Sequence, residues 1–145
     1  MEENNLKSVL SVVNERFSLE QQDPHQMPGL ALAYVGDCIF ELVVRTMLLG
    51  QGLTHVSELH KKASAIVRAS AQKDLFFKIE KELSEEELAV FRRGRNVKSS
   101  RAAKNADIVD YRIATGLEAL MGFLYLSDRI DRIAELVKMG LEDRD

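Results

Sequence analysis

Two strongly apolar segments, about eighty residues apart, constrain the fold of this chain more than any other feature of its sequence. The first reads Leu-Ala-Tyr-Val-Gly-Asp-Cys-Ile-Phe-Glu-Leu over residues 32–42, and the second reads Leu-Glu-Ala-Leu-Met-Gly-Phe-Leu-Tyr-Leu over residues 117–126. Both are apolar enough to be central helices, and each contains glycine and a carboxylate, Asp37 or Glu118. Because glycine within a helix costs about 1 kcal/mol relative to alanine, we expect the two helices to approach each other closely at these glycines.

Apolar residues recur at helical spacing through almost the whole chain, which contains only two prolines among 145 residues. This periodicity predicts an all-α fold. The helices are expected over roughly 5–18, 29–49, 55–70, 84–93, 108–126 and 129–139, with helical pattern also between 70 and 83. Thr54 is a candidate N-cap, and Ser84 with Glu87 is a capping-box signature. Residues 94–106 are predicted to form a loop.

Size and cysteine content indicate a single cytosolic domain over residues 1–145. A chain of this length can bury a core without disulfides, and its one cysteine, Cys38, excludes an intrachain disulfide. The first residues show no secretory pattern, and no uncharged apolar run approaches the roughly 20 residues of a membrane helix. We therefore expect a protein of a reducing compartment with no membrane association.

Asp37 and Glu118 are the strongest candidates for chemistry. If their helices pack side by side, the two carboxylates can hold a hard cation, with Glu41 as a further candidate because it lies one helical turn from Asp37. Oxygen ligands suit Mg²⁺ or Mn²⁺ better than zinc, and such an ion can activate water against a phosphodiester. The alternative is that these are ordinary helix acids, partly exposed or paired with an arginine such as Arg45 or Arg112.

Both apolar segments resemble signature motifs of the ribonuclease III family. Residues 32–44 are similar to its first motif, a Gly-Asp pair in an apolar helix, and residues 117–126 to its second, Glu-Ala-Leu-hydrophobic-Gly-hydrophobic-hydrophobic-Tyr-Leu. The resemblance covers about 28–140. It implies the ribonuclease III catalytic-domain fold, a metal-binding role for Asp37 and a catalytic role for Glu118. It also implies Mg²⁺-dependent cleavage of double-stranded RNA, with Mn²⁺ able to substitute, leaving 5′-phosphate and 3′-hydroxyl ends.

The chain also differs from the usual family pattern. Ala33 and Thr115 stand where the family usually has Glu and Asp, and the sequence stops at Asp145 without a double-stranded-RNA-binding domain. A lone catalytic domain with few acids resembles the bacterial Mini-ribonuclease III subfamily, and residues 91–107 are similar to that subfamily's basic segment. This resemblance implies maturation of the stem ends of large-subunit (23S) ribosomal RNA precursor. A ribosomal protein that presents the substrate is a further expected partner.

Positive charge is concentrated in one part of the chain. The net charge is −3, but residues 61–104 carry a balance of +6 and the remainder −9. Residues 89–104 contain no acid, and lysine, arginine and small polar side chains are the usual phosphate contacts. A solvated charged face is the alternative. The predicted RNA-binding residues are Arg92, Arg93, Arg95, Asn96, Lys98, Ser99, Arg101 and Lys104, with Lys61, Lys62 and Arg68 as a candidate extension.

Two other classes of function remain open. A catalytically silent RNA-binding or ribosome-associated module on the same fold is possible because Ala33 and Thr115 carry no carboxylate, although the acids at 37 and 118 argue against it. A helical protein–protein adaptor would leave the basic segment unexplained. The histidines, His25 among them, have no metal-binding spacing and are expected to be solvated, and Cys38 is expected in the core.

A homodimer is predicted from symmetry and hydrophobicity. The strands of an RNA duplex are related by two-fold symmetry, so a C₂ dimer would place one acidic site on each strand. The second predicted helix has scarcely any polar face, which is more apolar surface than a small domain easily covers alone. The family resemblance implies pairing through the same helix. We expect Tyr34, Ile39, Phe40 and Val43 in or near the interface.

Overall fold

The computed structural model describes residues 7–97 and 107–142, and within these ranges it contains helices and no strands. The all-α prediction is confirmed. Two short 3-10 turns, Pro24–Gln26 and Glu80–Glu82, accompany the α-helices. The seven α-helices of the described ranges are α1 (Val9–Arg16), α2 (Gly29–Gly50), α3 (Val56–Val67), α4 (Ala69–Ile79), α5 (Glu85–Arg95), α6 (Asp107–Leu126) and α7 (Ile130–Leu141).

Helices α2 and α6 form the central pair and make the most extensive contact between any two elements of the described fold. They touch through glycine. A Cβ atom at Gly36 would lie 1.7 Å from the carbonyl oxygen of Glu118, and one at Gly122 would lie 1.9 Å from the carbonyl oxygen of Leu32. Side-chain carbons do not approach backbone oxygens this closely, so only glycine permits the contact. The close approach predicted from these glycines is confirmed.

Three further helices complete the burial of α6. Its side chains from Ile113 to Leu124 are buried, apart from the half-buried Glu118. Helices α4, α5 and α7 pack around it, and the buried apolar side chains of α2 to α7, apart from Ala114, belong to one cluster. Within that cluster the rings of Phe76 and Phe91 stack with centroids 3.9 Å apart. Burial of this apolar surface is the main favourable term in the folding of the helical assembly.

A capping box begins α5, as the sequence predicted. The Ser84 hydroxyl accepts from the Glu87 amide at 3.1 Å, and the Glu87 carboxylate accepts from the Ser84 amide at 2.9 Å. Glu87 is 3% exposed, and Arg132 of α7 donates to it through Nε at 2.8 Å and Nη2 at 2.9 Å. The guanidinium lowers the pKa of the Glu87 carboxyl, so this buried ion pair joins α5 to α7 while the cap fixes the helix start.

Several local expectations were wrong. His55, not Thr54, is the N-cap of α3, and the helix ends at Val67 because Arg68 has an extended backbone. Helix α5 continues to Arg95, so Gly94 and Arg95 are helical although a loop was predicted there. Asn96 and Val97 follow the helix as predicted, and residues 98–106 of the predicted loop lie outside the described residues. Within the described ranges, no helix is long and apolar enough to cross a membrane.

Candidate active site

Asp37 and Glu118 face each other because their helices touch at Gly36. The backbone of residue 36 contacts the backbone of residue 118, and Asp37 lies close enough for its carboxylate to raise the pKa of Glu118. Asp37 is exposed, whereas Glu118 is half-buried. The acids that the sequence singled out are thus brought together, with one side of the pair open to an incoming ligand.

Glu118 has an unusual protonation equilibrium. The pKa of its carboxyl is raised to about 7, mainly by burial and also by the neighbouring Asp37 carboxylate, while a hydrogen bond from Gln72 acts in the opposite direction. When two carboxyl groups lie close together and one of them is partly removed from water, ionisation of both groups is unfavourable. A divalent cation between them would relieve this repulsion and take the place of the proton. The chemistry of the pair therefore fits a hard cation.

Gln72 of α4 is a site residue to which the sequence patterns did not point. Its side chain is 2% exposed, and its Nε2 donates to Glu118 Oε2 at 3.1 Å and to the Val67 carbonyl oxygen at 2.8 Å. The sequence did contain one indication of this role, a polar residue on an apolar helix face. Gln72 lies one turn before Leu75 and Phe76, which are both buried. Such a position is expected to be hydrogen-bonded, but its partner was not readable from the sequence.

Glu41 has a different partner. The Arg45 Nε donates to Glu41 Oε2 at 3.0 Å, which is the ion pair that the alternative interpretation of these acids proposed. The Thr115 hydroxyl donates to the Tyr111 carbonyl at 2.9 Å within α6. Over residues 7–97 and 107–142, no group of three or more His, Cys, Asp or Glu side chains is arranged to hold a metal ion. The candidate site therefore has two carboxylates, those of Asp37 and Glu118.

The predicted RNA-binding residues at the end of α5 divide by their contacts. Arg92 and Asn96 are exposed. Arg95 is half-buried, with its guanidinium carbon 5.7 Å from the centroid of the Phe91 ring and its Nε donating to Asn96 Oδ1 at 3.1 Å. Arg93 is also half-buried, and its Nη1 donates to the His25 carbonyl at 2.8 Å. Arg93 therefore holds the turn at 24–26 against α5.

The other predicted RNA contacts fall elsewhere. Lys61 and Lys62 are exposed on α3, and Arg68 is exposed directly after it. The carbonyl of Val67 shares the Gln72 amide with Glu118, so the backbone that leads into Arg68 approaches the carboxylate pair. Four members of the set, Lys98, Ser99, Arg101 and Lys104, lie outside the described residues.

One face of α2 is exposed and largely apolar. Tyr34 is 85% exposed and Leu42 54% exposed, and Cys38, which was expected in the core, is exposed between them. Ile39 and Phe40, which were expected at an interface, are 8% and 0% exposed because they face the core of the same chain. The exposed apolar stripe of α2 consists of Leu30, Tyr34, Cys38, Leu42 and Leu49.

His25 is paired rather than merely solvated. Its ring nitrogens lie 3.1 Å from Asp23 Oδ1 and 2.8 Å from Glu86 Oε2, and the ring packs edge-on against Phe123 with centroids 4.9 Å apart. The hydrogen bond to Glu86, followed by that to Asp23, raises the pKa of His25. The histidine links the turn at 24–26 to α5.

Comparison with known proteins identifies the family. A model of the ribonuclease III domain matches residues 30–129, which include both apolar motifs. The chain is 47% identical over 128 residues to the Mini-ribonuclease 3 of Clostridium tetani, and the alignment covers 88% of this chain and 83% of that protein. It is 48% identical over 119 residues to the Mini-ribonuclease 3 of Brevibacillus brevis, and this alignment covers 82% of this chain and 89% of that protein.

A solved structure agrees with the sequence comparisons. The crystal structure of a protein from Fusobacterium nucleatum matches the fold with a TM-score of 0.72 at 32% identity, and the match covers 81% of this chain and 93% of that one. The family and subfamily predicted from the two motifs and the basic segment are therefore confirmed. This chain belongs to the ribonuclease III family, in its Mini-ribonuclease III subfamily, and is an endoribonuclease of the ribonuclease III type.

Proposed function

We propose that this endoribonuclease hydrolyses double-stranded RNA at Asp37 and Glu118 with Mg²⁺ as its cofactor. The observation that carries the proposal is the contact between α2 and α6 at Gly36, which brings the two carboxylates together. Ribonuclease III enzymes act on double-stranded RNA and depend on metal ions. Asp37 and Glu118 are the residues of this chain that match the acids in the family's two motifs. Mn²⁺ is expected to substitute for Mg²⁺ because both prefer oxygen ligands.

The residues of the chain have distinct tasks in this reaction. Asp37, which is exposed, offers its carboxylate to the ion from α2, and Glu118 offers a second carboxylate from the more protected side. The bound ion would supply Lewis acidity that lowers the pKa of water and stabilises charge at the phosphodiester. The water oxygen forms a bond to phosphorus and the bond to the 3′-oxygen breaks, so the products carry 5′-phosphate and 3′-hydroxyl ends.

Exposed cations around the acids would position the duplex. Arg68 directly follows Val67, whose carbonyl shares the Gln72 amide with Glu118. Lys61 and Lys62 are exposed on α3, and Arg92 is exposed at the end of α5. Such side chains contact phosphates and recognise the shape of A-form RNA more than its sequence. Lys98, Ser99, Arg101 and Lys104 belong to the same proposed surface on the basis of the sequence. Arg93 and Arg95 contribute less, since their guanidinium groups are engaged within the fold.

The proposed natural substrate is the stem of large-subunit ribosomal RNA precursor, presented by a ribosomal protein. Similarity to proteins named Mini-ribonuclease 3 supports this choice, together with the motif matches at residues 32–44 and 117–126. One domain over residues 1–145 is proposed to carry the activity. The single cysteine, Cys38, is exposed, and a free exposed thiol is compatible with a reducing compartment such as the cytosol.

The deciding experiment uses a labelled perfect RNA duplex with the full chain. We expect Mg²⁺-dependent cleavage of the duplex, no cleavage of the separated strands, and no cleavage by Asp37→Asn. Glu41→Gln is the matched control and should cleave at nearly the wild-type rate, because Arg45 already engages that carboxylate. In Asp37→Asn, joint replacement of Arg68 and Arg92 by alanine should weaken duplex binding and flatten its salt dependence.

Two results would contradict this reading. Metal-dependent cleavage that survives in Asp37→Asn would remove the proposed site. Tight duplex binding by the wild-type chain without cleavage in either Mg²⁺ or Mn²⁺ would instead favour the catalytically silent RNA-binding module.

A homodimer through the exposed stripe of α2 would place one such site on each strand of the duplex. Leu30, Tyr34, Leu42 and Leu49 each present large exposed apolar surface on this helix. Sedimentation equilibrium at micromolar concentration should give twice the chain mass of 16.4 kDa. Joint replacement of Tyr34 and Leu42 by glutamate should give the single-chain mass, because charge would have to be buried at the interface. As a control, Phe77 is an exposed aromatic residue on α4, and the Phe77→Glu variant should remain dimeric. A monomeric wild-type protein would exclude cleavage of the two strands by paired sites.

A further inference from the structure

We propose that Gln72 is a positioning residue that holds Oε2 of Glu118 and thereby fixes the orientation in which this carboxylate is presented to a divalent ion. The inference rests on the proposed function and deepens it, because it names a residue outside both motifs that fixes the orientation of a metal ligand. Four features of the described structure support it: the orientation of the amide, its anchor, its burial and the small number of carboxylates.

The orientation of the Gln72 amide is determined by its neighbours. A glutamine amide has two N–H donors, and here Nε2 donates to Glu118 Oε2 at 3.1 Å and to the Val67 carbonyl at 2.8 Å. The opposite orientation would place the amide oxygen against two acceptors, so the hydrogen-bond network selects the observed one. The amide is therefore a donor aimed at one oxygen of Glu118.

The anchor of that donor is a helix end. Val67 is the last residue of α3, and the final carbonyls of a helix have no partner within the helix. Gln72 satisfies this carbonyl from the first turn of α4 and at the same time reaches Glu118 on α6. Its side chain is 2% exposed, so packing restricts its rotamers. The Glu118 oxygen is thus held from a junction of three helices.

Packing alone does not explain a glutamine at position 72. Its Oε1 atom is buried and, within the described part of the chain, has no hydrogen-bond partner. A buried polar atom without a partner lowers stability, whereas leucine or methionine would bury no such atom. The hydrogen bond to Glu118 explains why an amide nevertheless fits the function of this position.

The orientation of Glu118 matters more in this site than in one with many acids. Ala33 and Thr115 contribute no carboxylate, so Asp37 and Glu118 supply the acidic oxygens. If Glu118 rotates away, the ion loses one of two carboxylate ligands. A neighbouring group that fixes a metal ligand typically changes metal affinity by about 10- to 100-fold when it is removed.

Gln72→Leu tests the proposal in the full chain. Mn²⁺ binding without RNA, followed by electron paramagnetic resonance, should weaken about 10- to 100-fold, and half-maximal cleavage should need correspondingly more Mg²⁺. The midpoint of thermal unfolding in EDTA should change little, because removal of the unpaired Oε1 is offset by loss of the donor to the Val67 carbonyl. Leu75→Val is the matched control: Leu75 is buried one turn further along α4 against Gly140, so its replacement should lower the midpoint and leave Mn²⁺ affinity unchanged.

The outcomes separate this inference from the proposed function. Gln72→Met keeps an unbranched side chain and is measured in parallel, so that weakened Mn²⁺ binding in either folded variant supports the proposal. Wild-type Mn²⁺ binding and Mg²⁺ dependence in both folded Gln72 variants overturn it, while loss of both properties in Asp37→Asn leaves the proposed function intact. If Asp37→Asn also binds Mn²⁺ and cleaves as the wild type does, the proposed function itself fails.

Discussion

Replacement of Glu118 by glutamine will abolish RNA cleavage and, near pH 8, make the protein more stable. The variant keeps the size of the side chain and an oxygen that can accept from Gln72, but it removes one of the two carboxylates offered to the ion. We expect cleavage of a duplex to fall on the order of 10³-fold or more, which is typical when a group that stabilises transition-state charge or belongs to a catalytic unit is removed.

The stability effect follows from the protonation of Glu118. Burial raises the pKa of this carboxyl from 4.5 to about 7 in the folded protein. Between these values the folded state holds a proton that the unfolded chain has released, so stability falls as the pH rises through this interval. Above about pH 7 the loss is complete and amounts to at most about 3 kcal/mol. Because glutamine does not ionise, the Glu118→Gln variant does not lose stability as the pH rises through this interval.

Denaturant unfolding in EDTA at pH 4.5 and pH 8 measures the effect. Glu118→Gln should match the wild type at pH 4.5 and exceed it at pH 8 by up to about 3 kcal/mol. Glu41→Gln should show no such gain, because its carboxylate is paired with Arg45. Added Mg²⁺ should stabilise the wild type at pH 8 and have a much smaller effect on Glu118→Gln. Equal stability of Glu118→Gln and the wild type at both pH values would contradict the burial of charge at this position.

Gly36→Ala will disrupt the fold itself. The added methyl would lie 1.7 Å from the carbonyl oxygen of Glu118 and 2.7 Å from the amide nitrogen of Gly122. Both are backbone atoms of α6 and cannot rotate aside, so α2 and α6 must separate and open the core between them. We expect a loss of more than about 4 kcal/mol, a large fraction of the free energy of unfolding of a typical domain.

Gly50→Ala is the matched control for this substitution. Gly50 is the last residue of the same helix, and a Cβ atom there would meet nothing within 4 Å. Its replacement should change the free energy of unfolding by less than about 1 kcal/mol, because alanine restricts the unfolded chain without a clash. Urea unfolding of the two variants gives the comparison. A stability of Gly36→Ala close to that of Gly50→Ala would mean that the two central helices do not touch as described.

The elements and the acid pair were predictable because they depend on local patterns. Helical periodicity and the capping box at Ser84 are visible within a few residues of sequence. The glycines at 36 and 122 indicated close helix contact for the same reason, since glycine within an apolar helix is unfavourable unless another backbone needs the space. That contact was enough to bring Asp37 next to Glu118.

The burial of individual side chains on α2 was less predictable. The helix is apolar around most of its circumference, so its sequence does not distinguish the face against α6 from the face left exposed. The structure places Phe40 in the core and Tyr34 at the surface, and both had been expected at one interface. It likewise pairs Glu41 with Arg45 and fixes Arg93 to the turn at 24–26, where charge pattern alone predicted ligand contacts.

The sequence by itself determined the helices, the family and the two acids, because each depends on residue types at short and regular spacing. The tertiary structure alone decided what surrounds those acids. Gln72 meets Glu118 across 46 residues of sequence, and no local pattern encodes a hydrogen bond between side chains on helices that pack only in the folded chain. The same packing partly removes Glu118 from water, and burial is the main cause of its raised pKa.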